Sequence, residues 1–370
     1  MEGVERARLI YYVMRRLLIL IPTLLGVTVI TFFLSHAPGP GFALAVYCSP
    51  KLGPCTIDNP LLKPIVDQYH LRDPIPIQYV YYLSGLLQGD WGFTSSPVSG
   101  GIPVTQAITL FLPQTVELAV ASIVLATLIG IPMGTVSALR KDRLSDHATR
   151  IFALVGYSIP FFWLALLLQI AAISLNPEWE ITGGYSPTVL DPGSPSSSWA
   201  FVDVGGTPVL FSQPTHFLLL DAALHGSGTV FIDALKHLLL PTITLTIGIL
   251  GVILRMIRSG MVDSMNQDYV KTAWSKGLPD WVVTRVHIRR NALLPAVTVI
   301  GLLFAGLLGG VVLVEYVFAW KGIGYWATQA VLRFDTGGVM GTTLIFAIFL
   351  VVINLVADVI YAYLDPRITL

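Results

Sequence analysis

Six uncharged runs of membrane-crossing length constrain the fold of this 370-residue chain more than any other feature. Each is 17–25 residues long, and a helix that crosses a hydrocarbon core of about 30 Å needs roughly 20 residues. The runs occupy residues 17–34, 118–139, 151–175, 238–254, 292–314 and 339–357. The sequence therefore predicts an all-α polytopic membrane protein with six transmembrane helices.

The distribution of Lys and Arg predicts how these helices are oriented. Only 12% of the residues are charged, whereas soluble domains carry about 25%. If the N-terminus is cytoplasmic, sixteen of the 22 Lys and Arg residues fall in cytoplasmic segments, the excess that short cytoplasmic loops attract. We therefore expect a multi-pass protein of the cytoplasmic membrane with both termini inside. The net charge of zero gives no reason to expect nucleic-acid binding.

The spans divide the chain into segments of different length. We expect a cytoplasmic N-terminus at 1–16, a first span at 17–34, an extracytoplasmic loop at 36–107, a five-helix core at 108–362 and a cytoplasmic C-terminus at 363–370. Within the core, 176–237 is expected to be a second extracytoplasmic loop and 257–291 a cytoplasmic loop. The amphipathic stretch 77–87 is expected to lie along the membrane surface with its aromatic rings at headgroup depth.

The only two cysteines, Cys48 and Cys55, fall in the first outer loop. An oxidising exterior permits a disulfide between them, and two free thiols are the alternative. A metal site is not expected, because His36 is the only other soft ligand nearby and thiolate sites usually have four ligands.

The cytoplasmic loop contains the signals of a short helix. Asn266 can cap a helix over residues 267–276, Lys276 lies in its last turn, and Gly277 and Pro279 follow as stop signals. A ten-residue helix is about 15 Å long. Its apolar residues Val270, Ala273 and Trp274 are expected to share one side. That side suits docking of another protein and covering of the chain's own bundle equally well.

Carboxylates near the spans allow a second functional hypothesis. Glu117 and Asp358 border or interrupt apolar runs, and carboxylates inside a membrane are candidate ion or proton sites. We expect both near a span end, where they can reach water, and we expect Glu315 to be an outer-surface charge. A carrier driven by an ion gradient would need such groups deeper, and a membrane scaffold without transport activity is a third hypothesis.

Enzymatic activity is not expected from the sequence. Gly156-Tyr-Ser158 has the Gly-x-Ser form of a nucleophile site, with His237 as a candidate base. The two are expected at different depths, whereas a nucleophile and its base must lie about 3 Å apart. The sequence also contains neither a Gly-x4-Gly-Lys-Ser/Thr loop nor a His-Glu-x2-His pattern, so ATP and zinc hydrolysis are not expected on this chain.

Two stretches of the cytoplasmic loop resemble a known family. Residues 269–278, Tyr-Val-Lys-Thr-Ala-Trp-Ser-Lys-Gly-Leu, and 290–295, Arg-Asn-Ala-Leu-Leu-Pro, resemble the "EAA" coupling loop of ABC importer permeases. The match is closest to the first, B-type permease subunit of the peptide/nickel branch. Thr272 stands where the general motif has Glu, while Ala273 and Gly277 match it. The distance from Gly277 to Pro295 is longer than in the general motif, as we expect for this branch.

Further segments extend the resemblance over most of the chain. Those that look like motifs of the branch are 89–93, 112–119, 158–163, 315–324 and 364–368. The loop 176–237 is longer and more irregular than the branch leads us to expect.

The resemblance implies a type I ABC importer permease fold and a set of partners. It implies a second, related permease subunit as heterodimer partner, two cytoplasmic ATPase subunits that bind ATP and Mg, an extracytoplasmic binding protein, and no cofactor on this chain. The residues that would contact the ATPase are Tyr269, Val270, Thr272, Ala273, Lys276, Gly277 and Leu278. Peptides, nickel and oligosaccharides are solutes of this branch, and the sequence identifies neither the solute nor its binding residues.

Overall fold

Long apolar helices dominate the structure, as the uncharged runs predict. The computed structural model describes residues 2–36, 44, 46–47, 56, 58–95, 101–176, 182–184, 201–204, 207–210, 215–224 and 228–364. Cys48 and Cys55, and with them the predicted disulfide, lie outside these residues.

The described residues form fourteen α-helices. In chain order they are α1 (Glu2–His36), α2 (Lys63–Gln68), α3 (Ile75–Leu87), α4 (Val104–Leu139), α5 (Leu144–Ser158), α6 (Phe161–Leu175), α7 (Leu218–Leu224), α8 (Gly228–Met265), α9 (Asp268–Ser275), α10 (Asp280–Val282), α11 (Arg289–Gly310), α12 (Val312–Val317), α13 (Ile323–Leu332) and α14 (Thr336–Leu364). A 3₁₀ turn at Pro60–Leu62 precedes α2, and a π-helical turn at Val283–Ile288 joins α10 to α11. Two short antiparallel strands, β1 (Phe201–Val204) and β2 (Thr207–Leu210), form a hairpin.

The structure supports a helical membrane protein with fewer certain spans than the six predicted. Three helices are long and apolar enough to cross a membrane: α4, the Val230–Met265 part of α8 and the Thr336–Val356 part of α14. Two bent helix pairs, Leu144–Ser158 with Phe161–Leu175 and Asp280–Leu293 with Pro295–Leu307, raise the number to five if each pair is one span. The Ile21–His36 part of α1 is apolar but shorter. Six spans thus stay a prediction for the described part of the chain.

The predicted third span, 151–175, is not one straight helix. It breaks between α5 and α6, whose axes differ by 103°. The break lies at Ile159 and Pro160, and Ile159 has an extended backbone (φ −83°, ψ 124°). Proline lacks an N–H donor and disfavours helical geometry at the residue before it, so the helix ends here and a new one begins.

The described residues of the two predicted outer segments include regular secondary structure. Within 176–237 the described residues form the hairpin, α7 and the first ten residues of α8, which begins at Gly228 rather than near 238. In the first outer segment, α3 does not lie with all its rings at the membrane surface. Tyr82 is buried against Phe32 of α1, with ring centroids 5.2 Å apart. The chain's own apolar cluster therefore competes successfully with the membrane interface for this aromatic ring.

Helix α8 is the centre of the helix bundle. Of its most apolar stretch, 78% is buried inside the protein, against 28% for the corresponding stretches of α4 and α14. Glycines allow the close approach of its neighbours. A Cβ on Gly134 of α4 would lie 2.9 Å from Ile257, and one on Gly251 of α8 would lie 2.4 Å from the Ala153 carbonyl oxygen of α5. Backbone contact of this kind leaves no room for even a methyl group.

We predict that Gly251→Ala destabilises the bundle and that Gly306→Ala does not. The first methyl group meets a backbone oxygen that cannot rotate away, and overpacking of this kind costs about 1–3 kcal/mol. The second glycine, in α11, has no atom within 4 Å of an added Cβ. Thermal unfolding midpoints of the two variants in detergent check the prediction, and equal midpoints would contradict it.

Candidate functional site

The cytoplasmic helix exists, with slightly different ends from those predicted. It is α9, Asp268–Ser275, one residue shorter at each end than 267–276. Gln267 takes the N-cap position, and Asn266 does not cap the helix as predicted. Instead, the Asn266 side-chain amide donates a hydrogen bond to the Val262 carbonyl 3.0 Å away, because this residue directly follows the last turn of α8.

A glycine ends α9, as the sequence predicts. Gly277 has φ +74°, a left-handed conformation that glycine adopts without steric cost. Its N–H donates to the Trp274 carbonyl (2.9 Å), and the Leu278 N–H donates to the Ala273 carbonyl (3.4 Å). These two bonds define a Schellman motif. Lys276 is the C-cap residue rather than part of the last turn.

The two sides of α9 have different environments. Val270 is fully buried and Ala273 nearly so, and both belong to the main apolar core of the bundle. Trp274, expected on the same side, is 44% exposed. The buried side of α9 therefore packs against the chain's own bundle. Ala273 lies on that side and does not form an exposed surface for docking. The outward side of α9 and its glycine end carries Tyr269, Thr272, Lys276 and Gly277.

Hydrogen bonds fix α9 to the helices before and after it. The hydroxyls of Ser264 in α8 and Tyr269 lie 2.5 Å apart, and Ser264 also donates to the Ile288 carbonyl at 3.2 Å. The Trp274 indole donates to the Asp280 carboxylate of α10 at 3.1 Å. Because of these hydrogen bonds, a displacement of α9 would also displace α8 and the π-helical turn before α11.

One ion pair on α9 is fully solvent-accessible. Lys271 Nζ lies 2.8 Å from Asp268 Oδ1, and it lowers the pKa of that carboxyl below its usual value. An exposed pair of this kind contributes little stability. The Asp268 carboxylate lies in the first turn of α9, where a negative charge interacts favourably with the helix dipole.

Glu315 is buried, contrary to the prediction of an outer-surface charge. Its carboxylate accepts hydrogen bonds from the Thr115 hydroxyl of α4 (2.7 Å) and the Tyr325 N–H of α13 (3.0 Å). Burial raises the pKa of Glu315 above its usual value. Gly322 permits the close contact, since a Cβ there would lie 2.4 Å from the carboxylate oxygens. The motif at 315–324 thus folds α12 and α13 around one carboxylate and attaches them to α4.

Glu117 is enclosed rather than open to water. It is buried in α4, and its Oε1 accepts a hydrogen bond from the Leu219 N–H of α7 at 2.9 Å. The prediction that it reaches water at a span end is therefore wrong, because α7 covers this position. The side chain of Asp358 in α14 lies outside the described part of the chain.

The serine-protease arrangement is not formed. Ser158 donates its hydroxyl to the Leu154 carbonyl at 2.8 Å, and His237 Nδ1 lies 2.9 Å from the Asp233 carbonyl. Each side chain is thus engaged with the preceding turn of its own helix, and no hydrogen bond joins the two in the described structure.

A cavity of about 490 Å³ lies beside the break between α5 and α6. Its walls are mostly apolar and come from the break, α8 and α11, including Ser158, Pro160, Gly248, Val252 and Gly306. No sequence pattern predicts this cavity, since its walls are mostly apolar residues from four separate helices, α5, α6, α8 and α11.

Comparison with known proteins identifies the family. Residues 130–370 match the family described as "Binding-protein-dependent transport system inner membrane component". The chain is 38% identical over 349 residues to the probable D,D-dipeptide transport system permease protein DdpB of Escherichia coli K12, covering 93% of each chain. It is 35% identical over 360 residues to the dipeptide transport system permease protein DppB of the same organism, covering 97% of this chain and 99% of DppB.

A relative from a distant bacterium agrees. The chain is 34% identical over 357 residues to the oligopeptide transport system permease protein AppB of Bacillus subtilis 168, covering 96% of this chain and 98% of AppB. The chain belongs to the binding-protein-dependent transport system inner membrane component family. It is a membrane permease of the ABC importer type, which confirms the resemblance found in its sequence.

We predict that Gly277→Val destabilises the end of α9 and that Gly277→Asn is tolerated. Nothing lies within 4 Å of an added Cβ, so the cost comes from the left-handed backbone alone. That conformation costs a residue with a Cβ about 1–2 kcal/mol and is least unfavourable for Asn. Limited proteolysis of the 266–282 region in membranes should be faster for the valine variant. Equal cleavage rates for the two variants would contradict the conformational explanation.

Proposed function

We propose that this chain is the permease subunit of an ATP-driven importer of peptides or related small solutes, oligosaccharides included. An extracytoplasmic binding protein would deliver the solute, and alternating access would be driven by ATPase subunits. The relatives named for dipeptide and oligopeptide transport support the solute class. They also favour this function over an ion-coupled carrier, for which enclosed Glu117 offers no water-accessible site.

The observation that carries the proposal is that α9 has one side buried in the bundle and one side exposed. Val270 and Ala273 hold the helix in the bundle, while Tyr269, Thr272, Lys276 and Gly277 face outward. We assign the outward residues as contacts to the ATPase. We assign Val270, Ala273 and partly buried Leu278 to coupling from the inner side, since they transmit force to the core.

The partners follow from the architecture of one chain. One coupling helix serves one ATPase, and two ATPases that close on ATP need two such helices. A second, related permease would supply the other helix and the other half of the translocation path. ATP and Mg would be bound by the ATPases, with no cofactor on this chain.

The membrane topology completes the proposal. We propose six spans, with α1 as the first span and with each bent pair, Leu144–Ser158 with Phe161–Leu175 and Asp280–Leu293 with Pro295–Leu307, crossing once. Both termini and the 257–291 loop would be cytoplasmic, as the distribution of Lys and Arg favours. The segments 36–107 and 176–237 would face the binding protein outside. Closure of the ATPases would push α9 and tilt α8. The opening of the solute path would then change from one side of the membrane to the other.

We predict that Thr272→Arg abolishes ATPase association without unfolding the chain. Thr272 is exposed and its hydroxyl bonds only within the helix, to the Asp268 carbonyl at 2.9 Å. The fold therefore tolerates the change, whereas a bulky charge at the centre of a docking surface costs several kcal/mol in binding. Co-purification of the ATPase from native membranes measures the effect.

Ala148→Arg is the matched control for this experiment. Ala148 is exposed and lies near the start of a different helix, α5. It should retain the ATPase and the ATP-dependent uptake of a radiolabelled alanine dipeptide into proteoliposomes. Unchanged ATPase binding by Thr272→Arg would overturn the assignment of α9. Uptake that persists without ATPase and collapses with the ion gradient would instead select the carrier.

A further inference from the structure

Asp146 is a fully buried carboxylate that no part of the proposed function uses. It lies in the first turn of α5 and receives hydrogen bonds from three other parts of the chain. The Arg258 guanidinium of α8 donates to both carboxylate oxygens, at 2.7 and 2.9 Å. The Ser137 hydroxyl of α4 donates at 2.6 Å, and the Asp142 backbone N–H donates at 2.9 Å.

A second arginine contacts Asp146 from the solvent-exposed side of the cluster. Arg150, one turn further along α5, lies 2.6 Å from Asp146 and 3.0 Å from Asp142. Asp142 has φ +61°, so the turn between α4 and α5 is held in a left-handed conformation that aims its N–H at the carboxylate. Each carboxylate oxygen thus has at least two donors, which is the condition for keeping a charge in a protein interior.

Arg258 places this cluster on α8, close to the end of the helix that leads into α9. Arg258 is seven residues before Met265, the end of α8, and α9 begins three residues after that. Seven residues of α-helix span about 10 Å. The guanidinium therefore lies about two turns above α9, on the helix that α9 must move. It joins that helix to the ends of α4 and α5, the latter leading to the break beside the cavity.

We propose that Asp146 is a positioning residue that couples α8 to α4 and α5, so that movement of α9 reaches the break between α5 and α6. This inference rests on the proposed function and adds the residues that distribute the force. The bidentate geometry matters, because a planar guanidinium bound at both oxygens resists rotation as well as separation.

The test removes both charges at once. A single substitution would leave a buried charge unpaired and endanger folding, whereas replacing a buried pair by neutral side chains is often tolerated. We therefore use Asp146→Asn together with Arg258→Met. Arg258→Lys is a second variant that keeps a positive charge but loses the bidentate contact. Lys141→Gln is the control, since this charged side chain is exposed in the turn between α4 and α5 and is not among the described hydrogen-bond partners of Asp146.

The measurement follows α5 directly in the complete complex with its ATPases. Ser158→Cys, at the end of α5, is placed in a chain carrying Cys48→Ser and Cys55→Ser. Its labelling by a maleimide is timed with and without ATP and vanadate, and the labelled chain is resolved by a gel shift. Uptake of the alanine dipeptide per ATP hydrolysed is measured in the same proteoliposomes.

The expected result separates coupling from assembly. In the otherwise unchanged chain and in Lys141→Gln, ATP and vanadate alter the labelling rate at Ser158→Cys. In the double variant this response is lost and uptake per ATP falls about tenfold, within the range of coupling-network residues. Assembly and ATP hydrolysis stay within about twofold of the unchanged complex, and Arg258→Lys gives an intermediate loss.

Three results would overturn the proposal. The first is a labelling response to ATP and vanadate that is fully retained in the double variant or in Arg258→Lys. The second is a loss of this response that only parallels a loss of assembled complex. The third is a labelling rate at Ser158→Cys that never responds, although the complex hydrolyses ATP. A chain that co-purifies with no ATPase at all would instead refute the proposed function. The two failures are therefore distinguishable.

Discussion

The contact on which the rest of the structure depends is the close packing of α8 against its neighbours. Membrane helices gain no hydrophobic stabilisation from one another that lipid does not also supply, so they rely on tight contact and internal hydrogen bonds. Gly134 and Gly251 bring α4 and α5 to within backbone distance of α8. Because α9 begins three residues after the end of α8, the most buried of the candidate spans is also the one that leads into α9.

Buried carboxylates fix both ends of this helix bundle. Near the connection of α4 and α5, Asp146 holds α4, α5 and α8 together through Arg258. At the other end of α4, Glu315 holds α12 and α13 against Thr115. Asp335 accepts hydrogen bonds from the Ser95 N–H and, at the start of α14, from the Gly338 N–H. Charged groups cannot be left unpaired where water is absent, so each fixes its partners in direction as well as distance.

Family membership and the division of α9 together explain why this permease contains a short exposed helix. Val270 and Ala273 are buried in the bundle, so the partner contact that we propose would be made by the neighbouring polar side chains and by Gly277. Thr272, at the position where the general motif has Glu, lies in the middle of that exposed surface. The exposed surface of α9 is therefore mostly polar, which suits a helix that is packed on its own bundle and that we propose as a docking site for another protein.

The sequence by itself determined the helical membrane class, the family and the short helix that stops at Gly277, because hydropathy, charge bias and glycine signals act over a few residues. It could not determine that Ile159 and Pro160 break a span by 103°, that Val270 faces inward, or that Glu315 and Glu117 are buried. Those outcomes depend on which distant segments supply hydrogen-bond donors and close contacts, as Thr115 does for Glu315. Only the tertiary structure brings such partners together, since residues about 200 positions apart carry no local pattern that relates them.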